Sequence, residues 1–216
     1  MVGNIIHKGN NAKEYPLVLT EAEFLEILNK GIYTYNLLGH QVALSNSQAT
    51  SGTNLNYMIV DLNHDSNQLN TYDLMAVDTV AQRAFGNSNY WRNSGIRTWL
   101  NGTYISGFSA SIQSHIINMR YNSNGTIYTD DKIIMPSITE ITGDKYDSSY
   151  TKNEGTLYPV VPAYIRKYTN SSYQWMTRTC DSGAVYLWGI NNLGSLWVNG
   201  NSYNTSNCVV PLFRVQ

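Results

Sequence analysis

No apolar run in this chain is longer than a strand. The longest, Tyr57-Met58-Ile59-Val60 and Ala184-Val185-Tyr186-Leu187-Trp188, fall far short of the roughly 20 residues that a helix needs to cross a bilayer. A core must therefore be assembled from short elements separated by Gly, Asn and Ser breaks. The 216 residues suit one generous domain. Only 13% of them are charged, so polarity comes mainly from uncharged groups, asparagine above all, with Ser, Thr, Gly and 17 Tyr. The 14 basic and 15 acidic residues leave a net charge of −1. That balance excludes a nucleic-acid partner bound by a dense phosphate-neutralising surface and a polybasic membrane anchor. Ala, Glu, Lys, Leu and Arg do not dominate, which excludes a coiled coil. Met1 to Lys8 lacks a basic region followed by an apolar core, so it does not read as an export signal.

Residues 1–16 read as a polar arm or attachment segment, and residues 17–216 as a single domain. Thr20 with Glu23 forms a capping box, and Phe24, Leu25, Ile27 and Leu28 recur at helical spacing before Gly31, which predicts a helix over 21–30. Residues 34–44 and 56–62 read as strands joined by a Ser/Asn/Gly-rich stretch. A second helix is expected from Asn93 or Ser94, with Ile96, Trp99 and Leu100 on one face. A third is expected from Ser109, where Ile112, His115, Ile116 and Met119 repeat at threes and fours. Residues 131–135 read as a strand stopped by Pro136, and residues 141–155 as a polar loop. From Trp175 onward the pattern becomes short strands between Gly/Asn turns, which gives an α+β domain overall.

Several marks appear in a recognisable order. Trp91, Ser94, Ile96, Arg97, Trp99, Leu100 and Asn101 form a W-x-x-S-x-I-R-x-W-L-N segment. Around it stand Leu38-Gly39-His40, the stretch Ile59 to Asp65, the stretch Asp131 to Glu140, and Trp175-x-x-Arg178-Thr179 followed by Tyr186, Gly194 and Val210-Pro211. This order resembles a family of domains of unknown function found in gut bacterial surface proteins and phage structural proteins. The final third also resembles the C-type-lectin-like fold of phage tropism determinants, retroelement-diversified variable proteins and formylglycine-generating enzymes. The resemblance implies short helices packed on small antiparallel sheets. His40, where the family has Asp, and Cys180, where it has a small residue or Pro, depart from the pattern.

Asp61-x-Asn63-x-Asp65 imitates the opening of an EF-hand loop, but position six is Ser66 rather than Gly and position twelve is Tyr72 rather than Glu. The stretch reads instead as a strand end capped by Asx side chains, with His64 and Asp65 holding a neighbouring loop. No nucleophile elbow, zinc, phosphate-loop or C-x-x-C motif is present, so no catalytic residue, metal or cofactor is expected. Cys180 and Cys208 are the two cysteines; a bridge and a reduced pair both remain open. They do not reproduce the cysteine pair that holds copper in the formylglycine-generating relatives. Arg97 is expected to satisfy buried carbonyls or a carboxylate such as Glu140, and Trp175 and Arg178 to serve as framework.

The stretch from Ala184 to Asn199 carries the functional expectation. Asn191-Asn192-Leu193-Gly194 is turn chemistry. If Ile190 opposes Ser195, then Trp188 opposes Trp197 and Tyr186 opposes Asn199, while Val185, Leu187, Leu196 and Val198 face the core. Aromatic rings edged by amides and hydroxyls suit recognition. Tyr173, Asp181, Ser182, Asn191, Asn192, Ser195, Asn201, Tyr203 and Asn204 would then frame a ligand site centred on Tyr186, Trp188, Trp197 and Asn199. The expected role is a non-enzymatic module of a phage tail or bacterial surface that binds a host-surface glycan or protein, with its N-terminal arm attached to a larger assembly. The Asn/Tyr/Ser composition also fits retroelement diversification of Asn-type codons. The competing readings are an oligomer-forming virion subunit and a formylglycine-generating-like enzyme.

Overall fold

The structure is a computed structural model. It describes residues 17–86, 88, 90–123, 127–143, 154–160, 174–180, 187–191, 195–197 and 206–216. The chain opens with β1 (Val18–Thr20) and α1 (Glu21–Asn29), followed by a 3-10 turn at Tyr35–Leu37. Strands β2 (Gln41–Ser45), β3 (Asn54–Leu62), β4 (Tyr72–Ala76) and β5 (Ala81–Ala84) come next. Helix α2 (Gly95–Trp99) runs on into a π-helical turn at Leu100–Tyr104, and α3 (Ala110–His115) follows. Then come β6 (Ile116–Ile117), the hairpin β7 (Met119–Ser123) and β8 (Ile127–Asp131), β9 (Ile133–Ile134) and α4 (Ile138–Thr142). The C-terminal strands are β10 (Trp175–Cys180), β11 (Leu187–Ile190), β12 (Leu196–Trp197), β13 (Ser206–Val209) and β14 (Leu212–Val215).

Local chemistry explains several of these boundaries. The Thr20 hydroxyl accepts from the Glu23 backbone N–H while the Glu23 carboxylate accepts from the Thr20 N–H, so α1 starts where its capping box sits. Ser94 caps α2 in the same manner, accepting from Arg97 N–H. Other expectations need correction. The 34–44 stretch is not one strand: Thr34 caps the 3-10 turn, and β2 begins only at Gln41. The third helix ends at His115, because Ile116 and Ile117 pair with Val215 and Arg214 instead. The 141–155 stretch is not wholly loop, since α4 reaches Thr142 from a second capping box made by Ser137 and Glu140.

The elements form two sheets and a separate hairpin. The first sheet runs β1-β2-β3-β4-β14-β6, with β9 also pairing β14. The second runs β12-β11-β10-β13-β5. The sheets are mixed rather than purely antiparallel, because β1 lies parallel to β2 and β10 parallel to β13. The last strands tie both together: β13 pairs with β5 in the second sheet, and β14 with β4 in the first. One cluster of buried side chains spans both sheets and the helices. Within it Tyr57, Tyr104, Phe108 and Phe213 pack ring to ring at 5.2–5.8 Å, and the Tyr57 and Tyr104 hydroxyls share a hydrogen bond of 2.5 Å. Edge-to-face and tilted contacts of this kind add to what burial alone contributes.

Charged groups also enter the interior, always paired. Arg178 on β10 is fully buried and grips Glu140 of α4 with both terminal nitrogens at 2.6 Å. The same two nitrogens also donate to the carbonyls of Met135 and Glu154 at 2.9 Å. Burial works to lower the Arg178 pKa, but the Glu140 charge and hydrogen bonds raise it overall. Removing one partner of such a pair strands the other in a dry site, at a cost of about 3–5 kcal/mol. Arg178→Met and Glu140→Gln are each expected to lower the unfolding free energy measured in urea by that margin, whereas the double variant should lose less than the sum. Additive losses in a double-mutant cycle would show that the pair is not coupled.

Candidate functional site

The segment Trp91–Asn101 turns out to be a clamp. The Trp91 indole N–H donates to Asp131 Oδ2 at 2.9 Å, and Arg97 Nε donates to Asp131 Oδ1 at 2.7 Å. Arg97 therefore pairs with Asp131 rather than with Glu140. The Ser94 hydroxyl donates to the Trp91 carbonyl while it caps α2. Asn101 accepts from the N–H groups of Lys132 and Ile133 and donates to the Ile133 carbonyl, which copies a strand pairing with one side chain. Trp99 packs beneath the Arg83 guanidinium, 4.5 Å from the ring centre. Each of these residues holds the chain together, in keeping with a framework role.

The Asp61 to Asp65 stretch is a capped turn. Asn63 adopts a φ of +58°, which asparagine tolerates, and its side chain accepts from Thr71 N–H. Asp61 accepts from Leu62 N–H and meets His64 Nδ1 at 2.7 Å. His64 Nε2 lies 3.1 Å from the Thr156 hydroxyl, and the imidazole stacks on Tyr158 at 3.9 Å. His64 thus holds the neighbouring 154–160 segment, as its position at the strand end suggests. Asp65 accepts from Asn67 and sits 3.8 Å from Arg214. Among the described residues no group of three His, Cys, Asp or Glu side chains is arranged to hold a metal.

The C-terminal hairpin differs from its expected register. Ile190 opposes Leu196 and Gly189 opposes Trp197, so Trp188 and Trp197 are one position out of alignment. The cause lies in the turn. Asn191 N–H donates to the Ser195 carbonyl, and the Asn191 side chain accepts from Ser195 N–H, both at 2.9 Å. This closes a three-residue loop instead of a four-residue one, and a one-residue slip exchanges the two faces. Glycine at 189 lets β11 lie close to β10, since a Cβ there would come within 2.7 Å of the Trp175 carbonyl oxygen. Leu187 is buried as expected, but so is Ile190, which alternation places on the Trp188 face. Trp188 itself is half-buried against the core, Asn191 is half-buried and Ser195 is exposed. Tyr173, Asp181, Ser182, Tyr186, Asn192, Asn199, Asn201, Tyr203 and Asn204 lie outside the described residues, as does the side chain of Trp197.

Cys180 and Cys208 are both buried and unbridged. Cys208 lies across from Trp175 and Cys180 across from Leu187. The two thiols are thus separated by about five strand positions, roughly 16 Å, and cannot share one metal or one bridge. Burial pushes the Cys208 thiol pKa up, with hydrogen bonds from Thr79 and Gln82 working the other way.

The Domain of unknown function (DUF6273) family matches residues 42–216, and the chain belongs to that family. No curated protein and no solved structure matches the chain. The family match begins within β2 and takes in the clamp, the capped turn, the second sheet and the first sheet apart from β1 and Gln41. No helix among the described residues is long and apolar enough to cross a membrane.

The buried phenols give this framework a pH limit. Burial raises the pKa of Tyr57, Tyr104, Tyr121 and Tyr158, and the Asp73 carboxylate adds to the shift for Tyr121 and Tyr158. A folded phenol that stays protonated while its unfolded counterpart ionises near pH 10 binds the extra proton in the native state. Stability is therefore complete below about pH 10 and falls above it, by about 1.4 kcal/mol per pH unit for each such tyrosine. Urea unfolding from pH 8 to 11.5 should show this downturn. A flat profile would mean that these phenols ionise without unfolding.

Proposed function

We propose that this domain is a non-enzymatic recognition module of a phage particle or bacterial surface. In this reading it has a C-type-lectin-like fold and binds a host-surface glycan or protein at the β12 edge of its second sheet. The site comprises β11, the 191–195 turn, β12 and the Asn/Tyr/Ser-rich segments on either side. One observation carries the reading: the buried second sheet comes to the surface only at its hairpin turn and at one aromatic ring. Every residue of β10 is buried, as are Leu187, Gly189 and Ile190 of β11, whereas Trp188 and Asn191 are half-buried and Ser195 is exposed. A rigid strand supporting a polar, partly aromatic edge is how loops are positioned to bind. Asn191 also fixes the turn through its own side chain, which lowers the ordering cost of binding.

The half-buried Trp188 on β11, next to the edge strand β12, also supports a second reading, in which this edge joins copies of the chain in an oligomeric virion subunit. The two readings separate in solution. As a recognition module, the protein sediments as a monomer and attaches to host cells or glycan arrays. Trp188→Ala and Ser195→Arg then reduce attachment by about tenfold or more while the melting temperature stays within a few degrees. Unchanged attachment in both variants rejects the site, and an oligomer that dissociates in the same variants favours the structural subunit.

A further inference from the structure

A cleft of about 270 Å³ opens between the β7–β8 hairpin, the turn after β3 and the 154–160 segment. None of its described walls comes from the second sheet, which sets it apart from the edge proposed above. Its volume lies just below that of most ligand pockets, which run from roughly 300 to 1,000 Å³, so it suits one small ligand. Arg214 and Asp65 line it beside His64 and Thr156, and Arg120 and Tyr128 close it from the hairpin.

The charges around the cleft are already matched. Arg214 makes a bidentate pair with Asp73 at 2.5 and 2.8 Å and donates to Gln68 at 2.6 Å. Arg120 lies 3.9 Å from Asp130, and His64 meets Asp61. An anionic ligand would have to compete with a carboxylate for each arginine, and a cationic one with an arginine for each of Asp65, Asp73 and Asp130. What the cleft offers instead is paired donors and acceptors beside one flat apolar surface. That surface is the Tyr128 ring, 56% exposed and backed by the Arg120 guanidinium 4.9 Å from its centre.

Another wall holds a hydroxyl fixed by its neighbour. Asp61 Oδ2 and Thr156 Oγ1 meet the two ring nitrogens of His64 at 2.7 and 3.1 Å, so the imidazole ties the Thr156 hydroxyl to the strand end. Whichever of the two donates, the Thr156 oxygen keeps a lone pair for a ligand O–H. Its segment is held close: Gly155 has a φ of +102°, and a Cβ there would lie 2.3 Å from Glu140 Oε1, so only glycine brings the chain to this place.

We propose that this cleft binds one neutral monosaccharide unit, stacked on Tyr128 and hydrogen-bonded by Thr156 and Asp65. Aromatic contact accounts for the apolar face of the sugar, and the fixed acceptors account for its hydroxyls. Saturation-transfer NMR with glucose, galactose, mannose and N-acetylglucosamine tests the assignment. At least one sugar should receive saturation, with an affinity that does not change between low salt and about 0.5 M salt. Tyr128→Ala should weaken that sugar about tenfold and Thr156→Val severalfold, with Tyr128→Phe unchanged. Tyr128 is exposed, so its variants should keep the wild-type melting temperature. The proposal is overturned if none of the four sugars binds, or if Tyr128→Ala binds as well as wild type. Preference for glucuronate or glucosamine with an affinity that falls as salt rises would likewise overturn it.

Discussion

Three carboxylates that have left water, Asp73, Asp131 and Glu140, tie distant parts of this fold together. A chain with so few ionisable residues places three arginines against carboxylates from distant parts of the sequence: Arg178 with Glu140, Arg214 with Asp73 and Arg97 with Asp131. Such pairs add little net stability compared with apolar packing of the same volume, but an unmatched member is severely unfavourable. Their effect is therefore on which arrangement is allowed. Arg178 can be buried only where α4 brings Glu140 and the 154–160 segment brings the Glu154 carbonyl. The second sheet is thereby fixed to one helix and one segment of chain, and its β12 edge is fixed with it.

The same constraint explains why the most recognisable residues are not those that would touch a ligand. Trp91, Ser94, Arg97 and Asn101 all direct their polar atoms at Asp131, at backbone groups of α2 or at the chain leading into β9. Ser137, Glu140 and Arg178 do the same around α4. Membership of the DUF6273 family consequently describes a framework. Function must be argued from the surfaces that this framework leaves open.

How much was legible in the sequence follows from the range of each interaction. The α1 capping box and the Ser94 cap act over three residues, and both stand where the sequence puts them. The helical spacing from Ile112 to Met119 misleads because β6 is set by pairing with β14, about a hundred positions away, and local spacing carries no trace of that partner. The Ser137–Glu140 box has the right pattern but is followed by too few apolar residues to announce a helix. The hairpin register depended on whether Asn191 closes the loop or sits inside it. A turn rich in Asn and Gly is compatible with both, and one residue decides which positions of β11 and β12 lie opposite each other. The cleft was not legible at all. Its residues are drawn from four separate stretches, and only the reading of His64 as an anchor for a neighbouring loop pointed towards it.

The two surfaces proposed for binding are physically linked through the buried arginine. The Arg178 guanidinium lies over the Tyr121 ring at 4.7 Å, and Tyr121 forms part of the cleft wall. The Tyr121 hydroxyl meets that of Tyr158 at 3.2 Å; Tyr158 in turn stacks on His64 and donates to Asp73 at 2.9 Å. A continuous set of contacts therefore runs from β10, which carries the hairpin edge, to the histidine that orients Thr156. Contiguity alone is not coupling, but it determines what a mutation can mean. A substitution at Arg178 disturbs both surfaces at once, so loss of binding in such a variant says nothing about where the ligand sits. Only residues outside this buried set, Tyr128 at the cleft and Ser195 at the sheet edge, separate one surface from the other.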